Sequence, residues 1–298
     1  MKLIFTGASG FLGNNVYSLL ERIYEITTVG LTMQDDYMVN IAQEIPNLGE
    51  RYDIVLHAAG KAHSVPKTEA EKQVFFDVNL QGTKNLCAAL EKVGVPRAFI
   101  FISTVAVYGC DCGENITEEY PLNGDTPYAL SKRFAEEYLK KWCFEHNVIL
   151  GIIRPSLIAG PNPPGNLGTM INGIRGRKYF CIAGSKAKKS VLMVQDIAKL
   201  VPLLVVKGGI YNVCDSYQPS FRDLETIICK QLGKSLPMSI PYWMAKGMAL
   251  VGDCLGKTAP INSLKLKKMT KSLTFSNEKA IRELGWTPTS VLENFRIE

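Results

Sequence analysis

Short uninterrupted apolar runs alternate with helical periodicity through the first half of the chain. Residues 2–6, 26–31, 54–58, 98–103 and 148–153 read as strands, because each is a brief apolar run bounded by turn chemistry. Residues 11–22, 75–93 and 127–146 repeat their apolar positions every three or four residues and read as helices. Strand and helix in alternation imply parallel pairing through right-handed crossovers, and strands apolar on both faces imply helices on both sides of the sheet. The expected class is α/β with a doubly wound parallel sheet. After Arg154-Pro155 the texture changes: residues 159–166 are rich in Gly, Pro and Asn, and the rest is less regular. The expected division is a sheet domain over residues 1–155, a return to the sheet near 190–206, and a smaller lobe over most of 156–298. Residues 243–255 are apolar on one side and predict an amphipathic helix packed on the body.

Composition narrows this only a little. With 298 residues and 46% hydrophobic content, the chain can bury a large core. A net charge of +6 suits an acidic small substrate, a membrane surface or nucleic acid, but most lysines are spread through the chain, with modest clusters at Lys186–Lys189 and Lys265–Lys271, so charge carries little weight and no nucleic-acid partner is expected. Eight cysteines without a framework of spacings, and an N-terminal strand running straight into a glycine loop, predict reduced thiols and a cytoplasmic protein. Cys110 and Cys112 form a poor chelate and only three histidines are present, so no metal site is expected. No apolar run reaches the roughly 18 residues of a membrane span.

Gly7, Gly10 and Gly13 lie between the first strand and the first helix. A dinucleotide pyrophosphate must sit against backbone amides at a helix N-terminus, so the turn must be tight and free of side chains. The position of this triplet therefore predicts a Rossmann-type cofactor loop. The carboxylate that reads the adenosine ribose should follow about 20 residues on, at the end of the second strand. Gly30-Leu31-Thr32 stand there, and the first acidic residue is Asp35, so NAD and NADP both remain open, with a lean towards tolerance of NADP.

Tyr128 and Lys132 are four apart at the start of a helix and share a face. A nearby ammonium is expected to lower the phenol's pKa and make Tyr128 an acid/base, although the same spacing occurs in ordinary helices. Ser103 and Thr104 place hydroxyls at a strand end, where ligands bind in such sheets, and Thr104 can donate to a substrate oxygen. His57-Ala58-Ala59-Gly60 is a second strand end of small residues, and His57 is given no proton-transfer role.

Together these pieces resemble the extended short-chain dehydrogenase/reductase family, in its nucleotide-sugar epimerase, dehydratase and reductase branch. The resemblance rests on residues 6–13, 57–60, 78–83 and 103–109, on Tyr128 with Lys132, and on Arg154-Pro155 followed by Gly160-Pro161. It continues through Val194-Gln195-Asp196, Tyr211-Asn212-Val213 and residues 283–288, so it covers nearly the whole chain in order. It implies a catalytic triad of Thr104, Tyr128 and Lys132. It implies cofactor contacts from Gly7, Ser9, Gly10, Phe11 and Leu12, and from Asn40 and Ile41 beside adenine, where Asn replaces the usual Asp. Further cofactor contacts are implied for His57, Ala58, Ala59, Gly60, Asn79, Ser103 and Pro155, as well as Tyr128 and Lys132. Substrate contacts are implied for Thr104, Val105 and Tyr128, with Asn166 and Lys189 gripping the nucleotide sugar. The partner implied is a nucleotide-diphosphate sugar, UDP-linked by preference, and the assembly a homodimer through the helices at 75–93 and 127–146.

Sugar dehydratases of this branch carry Asp-Glu directly after the catalytic Thr, and Val105-Ala106 stand there, so dehydration is not expected. Reduction of a 4-keto sugar with NAD or NADP is favoured over 4-epimerisation with retained NAD. The chain is short, the ribose carboxylate is missing, and residues 268–275 resemble 4-ketoreductases of surface-polysaccharide pathways. A non-catalytic binding protein is disfavoured, because Tyr128 and Lys132 are both present.

Overall fold

A computed structural model of the chain describes every residue except 63, 256–260 and 298. The strands are β1 (Lys2–Thr6), β2 (Glu25–Gly30), β3 (Tyr37–Met38), β4 (Ile54–His57), β5 (Ala98–Ile102), β6 (Gly113–Ile116), β7 (Ile149–Pro155), β8 (Leu157–Ala159), β9 (Cys181–Ile182), β10 (Val191–Met193), β11 (Gly209–Val213), β12 (Ser239–Ile240) and β13 (Leu273–Phe275). The helices are α1 (Phe11–Leu20), α2 (Glu69–Phe76), α3 (Gly82–Val93), α4 (Pro127–Glu145), α5 (Gly165–Arg175), α6 (Asp196–Lys207), α7 (Phe221–Leu232), α8 (Tyr242–Leu255), α9 (Ser263–Thr270), α10 (Glu278–Leu284) and α11 (Val291–Asn294).

Seven strands pair in the order β11-β7-β5-β4-β1-β2-β3, and every pairing is parallel. The order reverses between β1 and β4, which creates a crevice at their carboxyl ends. Alternation along the strands feeds two cores. Leu3, Phe5, Leu56 and Ile100 face α1 and α6, while Ile4, Val55, Phe99 and Phe101 face α3 and α4.

The expected strands and helices form, with three differences. The helix predicted over 75–93 is two helices joined by a wide turn at Asp77–Gln81. The first begins early because the Thr68 side chain accepts from the Glu71 amide and caps it. The wide turn swings Asn79 inwards, where its amide bonds hold it. The return to the sheet runs later than 190–206: α6 covers one face and β11 then adds beside β7. The smaller lobe has a core around Leu167, Ile171, Leu224 and Ile228, with a satellite of Ile182, Ala245, Ala249 and Leu266.

The third difference is α8. The helix forms, but it does not bury its bulky apolar side. It seats Ala245, Ala249 and Gly252 on the body and leaves Trp243, Leu250 and Val251 exposed. Small side chains let the helix approach β9 and α9 closely, so the contact selects the small face. Among the described residues, no helix is long and apolar enough to cross a membrane.

Candidate active site

The glycine loop sits at the crevice. Gly7 has φ +80°, and a Cβ there would meet the Ala59 amide nitrogen at 2.6 Å, so only glycine lets the two strand ends close up. Gly10 caps α1 in an extended conformation and puts no side chain over the first-turn amides. Ser9 and Gly10 are exposed at the mouth, while Phe11 and Leu12 lean back on the core. A bare helix N-terminus beside a chain that must stay free of Cβ atoms fits the pyrophosphate of a dinucleotide.

His57 ends β4 with its ring fully enclosed. Nδ1 pairs with Thr6 Oγ1 at 2.6 Å and Nε2 with Thr83 Oγ1 at 2.9 Å. Burial, and then the charge of Lys132, push its pKa down to about 3, so it is a neutral strut. The backbone of Ala58 and Ala59, just after it, lies against Gly7 at the crevice. Thr6 also holds this segment, accepting from the Ala59 amide at 3.2 Å. Gly60 follows, and a Cβ there would lie 3.0 Å from both Asn79 Oδ1 and Lys132 Nζ.

Thr126 caps α4 by accepting from the Ala129 amide, and Pro127 fixes the first turn, so Tyr128 projects from the helix start. Its phenol lies beside the side chain of Thr104, which follows β5 and favours the ionised phenol. Thr104 Oγ1 accepts from the Ala106 amide at 3.1 Å, which leaves its proton to donate forward. Val105 opens the short turn beneath it, and buried Pro155 closes β7 alongside.

Lys132 lies one turn further on, 4% exposed. Its ammonium donates to the Ile102 carbonyl at 2.9 Å and lies 4.6 Å from the centre of the Phe101 ring. Burial lowers its pKa to about 8, with Glu136 opposing. The ammonium was expected to lower the pKa of Tyr128. That expectation is corrected: burial raises the phenol's pKa, and the only opposing influence is Thr104. The ammonium is engaged with a carbonyl and a ring face instead of the phenol.

Asn79 braces these parts from below. Its Oδ1 accepts from the Lys61 amide at 2.8 Å, and its Nδ2 donates to Ser131 Oγ, whose own proton goes to the Tyr128 carbonyl at 2.9 Å. Asn40 closes its own turn by accepting from the Ala42 amide, and Ile41 is buried against Gly82. On the substrate side, Asn166 is exposed on α5. Lys189 is half-buried and donates to the Lys271 carbonyl at 3.0 Å. Among the described residues no hydrogen bond joins Asn166 or Lys189 to the triad.

Two groups escaped the sequence reading. The first is Glu136, one more turn along the face that carries Tyr128 and Lys132. It is fully buried, accepts from Ser103 Oγ, and takes Arg154 Nε at 3.0 Å and Nη2 at 2.6 Å. Arg154 Nη1 donates to Tyr108 Oη at 2.9 Å, and Tyr108 donates to Asn212 Oδ1 at 2.7 Å. The spacing 128, 132, 136 was the available signal. The second is Asp35. Its carboxylate folds back to accept from the amide and hydroxyl of Thr32 at 2.9 and 2.7 Å. It thereby lies against Gly30, where an added Cβ would meet Oδ2 at 2.5 Å. A carboxylate from the loop thus lies at the end of β2, and Thr32-x-x-Asp35 is a recognisable turn pattern.

Residues 3–214 match the NAD dependent epimerase/dehydratase family. N-acetyl-alpha-D-glucosaminyl-diphospho-ditrans,octacis-undecaprenol 4-epimerase of Escherichia coli O157:H7 is 30% identical over 93% of this chain and 88% of that protein. GDP-6-deoxy-D-mannose reductase of Pseudomonas aeruginosa is 26% identical over 75% of this chain and 77% of its own. Among solved structures, UDP-glucuronic acid 4-epimerase from Bacillus cereus, in complex with UDP-glucuronic acid and NAD, superposes with a TM-score of 0.74. It is 18% identical and covers 99% of this chain and 96% of its own.

Proposed function

This chain belongs to the NAD dependent epimerase/dehydratase family, and we propose that it reduces the 4-keto group of a sugar carried on a diphosphate. The observation that carries this reading is the hydroxyl pair Thr104–Tyr128 at the crevice, next to a glycine loop shaped for a dinucleotide. A nicotinamide cofactor, held by the Gly7–Leu12 turn and the Ala58–Gly60 segment, would supply the hydride at C4. Thr104 donates to the carbonyl oxygen and polarises it. Tyr128 passes its proton to that oxygen as negative charge develops there. Lys132 holds positive charge beneath the crevice. Burial and then the nearby Lys268 charge lower the Lys189 pKa to about 8, with the Asp111 carboxylate only partly opposing them. A diphosphate would satisfy that ammonium, which makes it the anchor for the carrier group, nucleoside or lipid.

Two observations favour 4-epimerisation as a second reading. The relative sharing 30% identity over 93% of this chain is a 4-epimerase. The Asp35 carboxylate also removes one reason for expecting loose NAD. Purified protein decides between them. Protein that leaves the column without cofactor, and oxidises NADH or NADPH one-for-one with a 4-keto sugar diphosphate, supports reduction. Stoichiometric retained NAD with interconversion of two sugars and no net oxidation replaces it with epimerisation.

Asp35 carries a further expectation. A carboxylate at the end of β2 accepts from a ribose hydroxyl and repels a 2′-phosphate, so NADH should bind more tightly than NADPH. Asp35→Asn keeps an acceptor for Thr32 but loses the charge. Titration by nicotinamide fluorescence should show the NADH preference reduced by roughly tenfold, the size of one charge-assisted hydrogen bond. An unchanged preference would remove Asp35 from cofactor selection.

A further inference from the structure

We propose that α8, the segment leading into it and α9 dock on the surface of an anionic lipid bilayer. The outward ridge of α8 is Trp243, Gly247, Leu250, Val251 and Cys254, spaced three or four apart and all exposed. Trp243 is 73% exposed, Leu250 57% and Val251 63%. A helix lying on a globular body normally turns such a ridge inwards. Here alanines and a glycine face in, and the bulk faces water. The segment leading into the helix adds Met238, and Leu264 opens α9 beside it, both exposed. The exposed apolar side chains thus concentrate on α8, the segment before it and the start of α9, which packs beside α8.

Charge identifies the occupant. The described residues of 236–271 include five lysines and one acid, Asp253. Lys246 flanks the ridge, and Lys265, Lys267, Lys268 and Lys271 stand exposed on and after α9. Asp111 lies 3.5 Å from Lys268 and 3.9 Å from Lys267. Exposed pairs at these distances leave most of the positive field in place. An apolar ridge carrying Trp, rimmed by lysines, matches a helix lying in the interfacial plane of an anionic membrane. A second copy of the chain would bring the same lysines against one another across a twofold axis. The patch is part of the smaller lobe and extends to Lys189, whose ammonium donates to the Lys271 carbonyl. Docking would therefore present that lobe to the membrane face. This inference goes beyond the reaction proposed above and does not depend on it.

Trp243 makes the test direct. Trp142 and Trp286 are buried, so of the three tryptophans only Trp243 meets water. Full-length protein is mixed with vesicles of phosphatidylcholine alone or with equal phosphatidylglycerol, then followed by flotation and tryptophan emission. Binding to the anionic vesicles should be at least tenfold stronger, with a blue shift that Trp243→Phe removes without abolishing flotation. Raising salt to about 0.5 M should release the protein. Leu250→Glu and Val251→Glu replace exposed side chains, so melting temperature and turnover of a water-soluble substrate should hold while flotation falls at least tenfold. Absence of flotation and shift in the native protein overturns the proposal. So does equal, salt-insensitive binding to both vesicles. A concentration-dependent dimer that Leu250→Glu dissociates, with vesicles ignored, would assign the ridge to a second copy instead.

Discussion

Tyr128→Phe is expected to lower kcat by roughly 10³-fold, equivalent to about 4 kcal/mol of transition-state stabilisation, while leaving the fold and cofactor affinity intact. The substitution removes one oxygen, which lies beside the Thr104 hydroxyl, and the ring keeps its place near Phe75, 6.3 Å between centroids. KM should move far less than kcat, because the lost proton transfer belongs to the transition state. The pH dependence adds a second signature. Burial keeps the phenol protonated through the neutral range, as reduction requires. Lys132 titrates near 8, so the reductive rate should fall as pH rises through about 8 and the ammonium is lost. Lys132→Met should lower the rate and abolish that fall. Full turnover by Tyr128→Phe at any pH would remove Tyr128 from proton transfer.

The parts of this site that were legible in the sequence share a physical cause. Gly7, Thr104 and Tyr128 each answer a local demand: a turn without a Cβ, a strand end, a helix start after proline. Local demands leave local patterns. Glu136 and Asp35 were missed because their roles depend on partners far along the chain or on a loop folding back. Glu136 meets Arg154 across two elements, and periodicity scores both as ordinary charged positions. The inversion of α8 was invisible for the same reason. Its sequence shows two candidate faces, one small and one bulky, and only the shape of the body selects between them. The pKa of Tyr128 was misjudged because spacing gives proximity along a helix but not where an ammonium points. Lys132 turns to the Ile102 carbonyl.

Glu136→Gln is expected to destabilise the protein by about 3–5 kcal/mol, because it leaves the Arg154 guanidinium buried without its counter-charge. Burial opposes the charge on Arg154, and Glu136 more than offsets that penalty, holding the guanidinium pKa above its ordinary range. Ser103 loses its acceptor in the same step. For a chain of this size the melting midpoint should drop by roughly 5–8 °C. The double variant Glu136→Gln/Arg154→Met should recover at least half of that loss, since the penalty lies in the orphaned charge and not in the missing pair. A functional readout separates positioning from mere stability. Glu136 raises the pKa of Lys132, so removing its charge should move the alkaline fall in rate to lower pH. The limb is expected to shift in Glu136→Gln measured well below its melting midpoint. A variant that melts early but keeps the limb near pH 8 would confine Glu136 to the scaffold. A shifted limb would make it the residue through which the buried network sets the charge beneath the crevice.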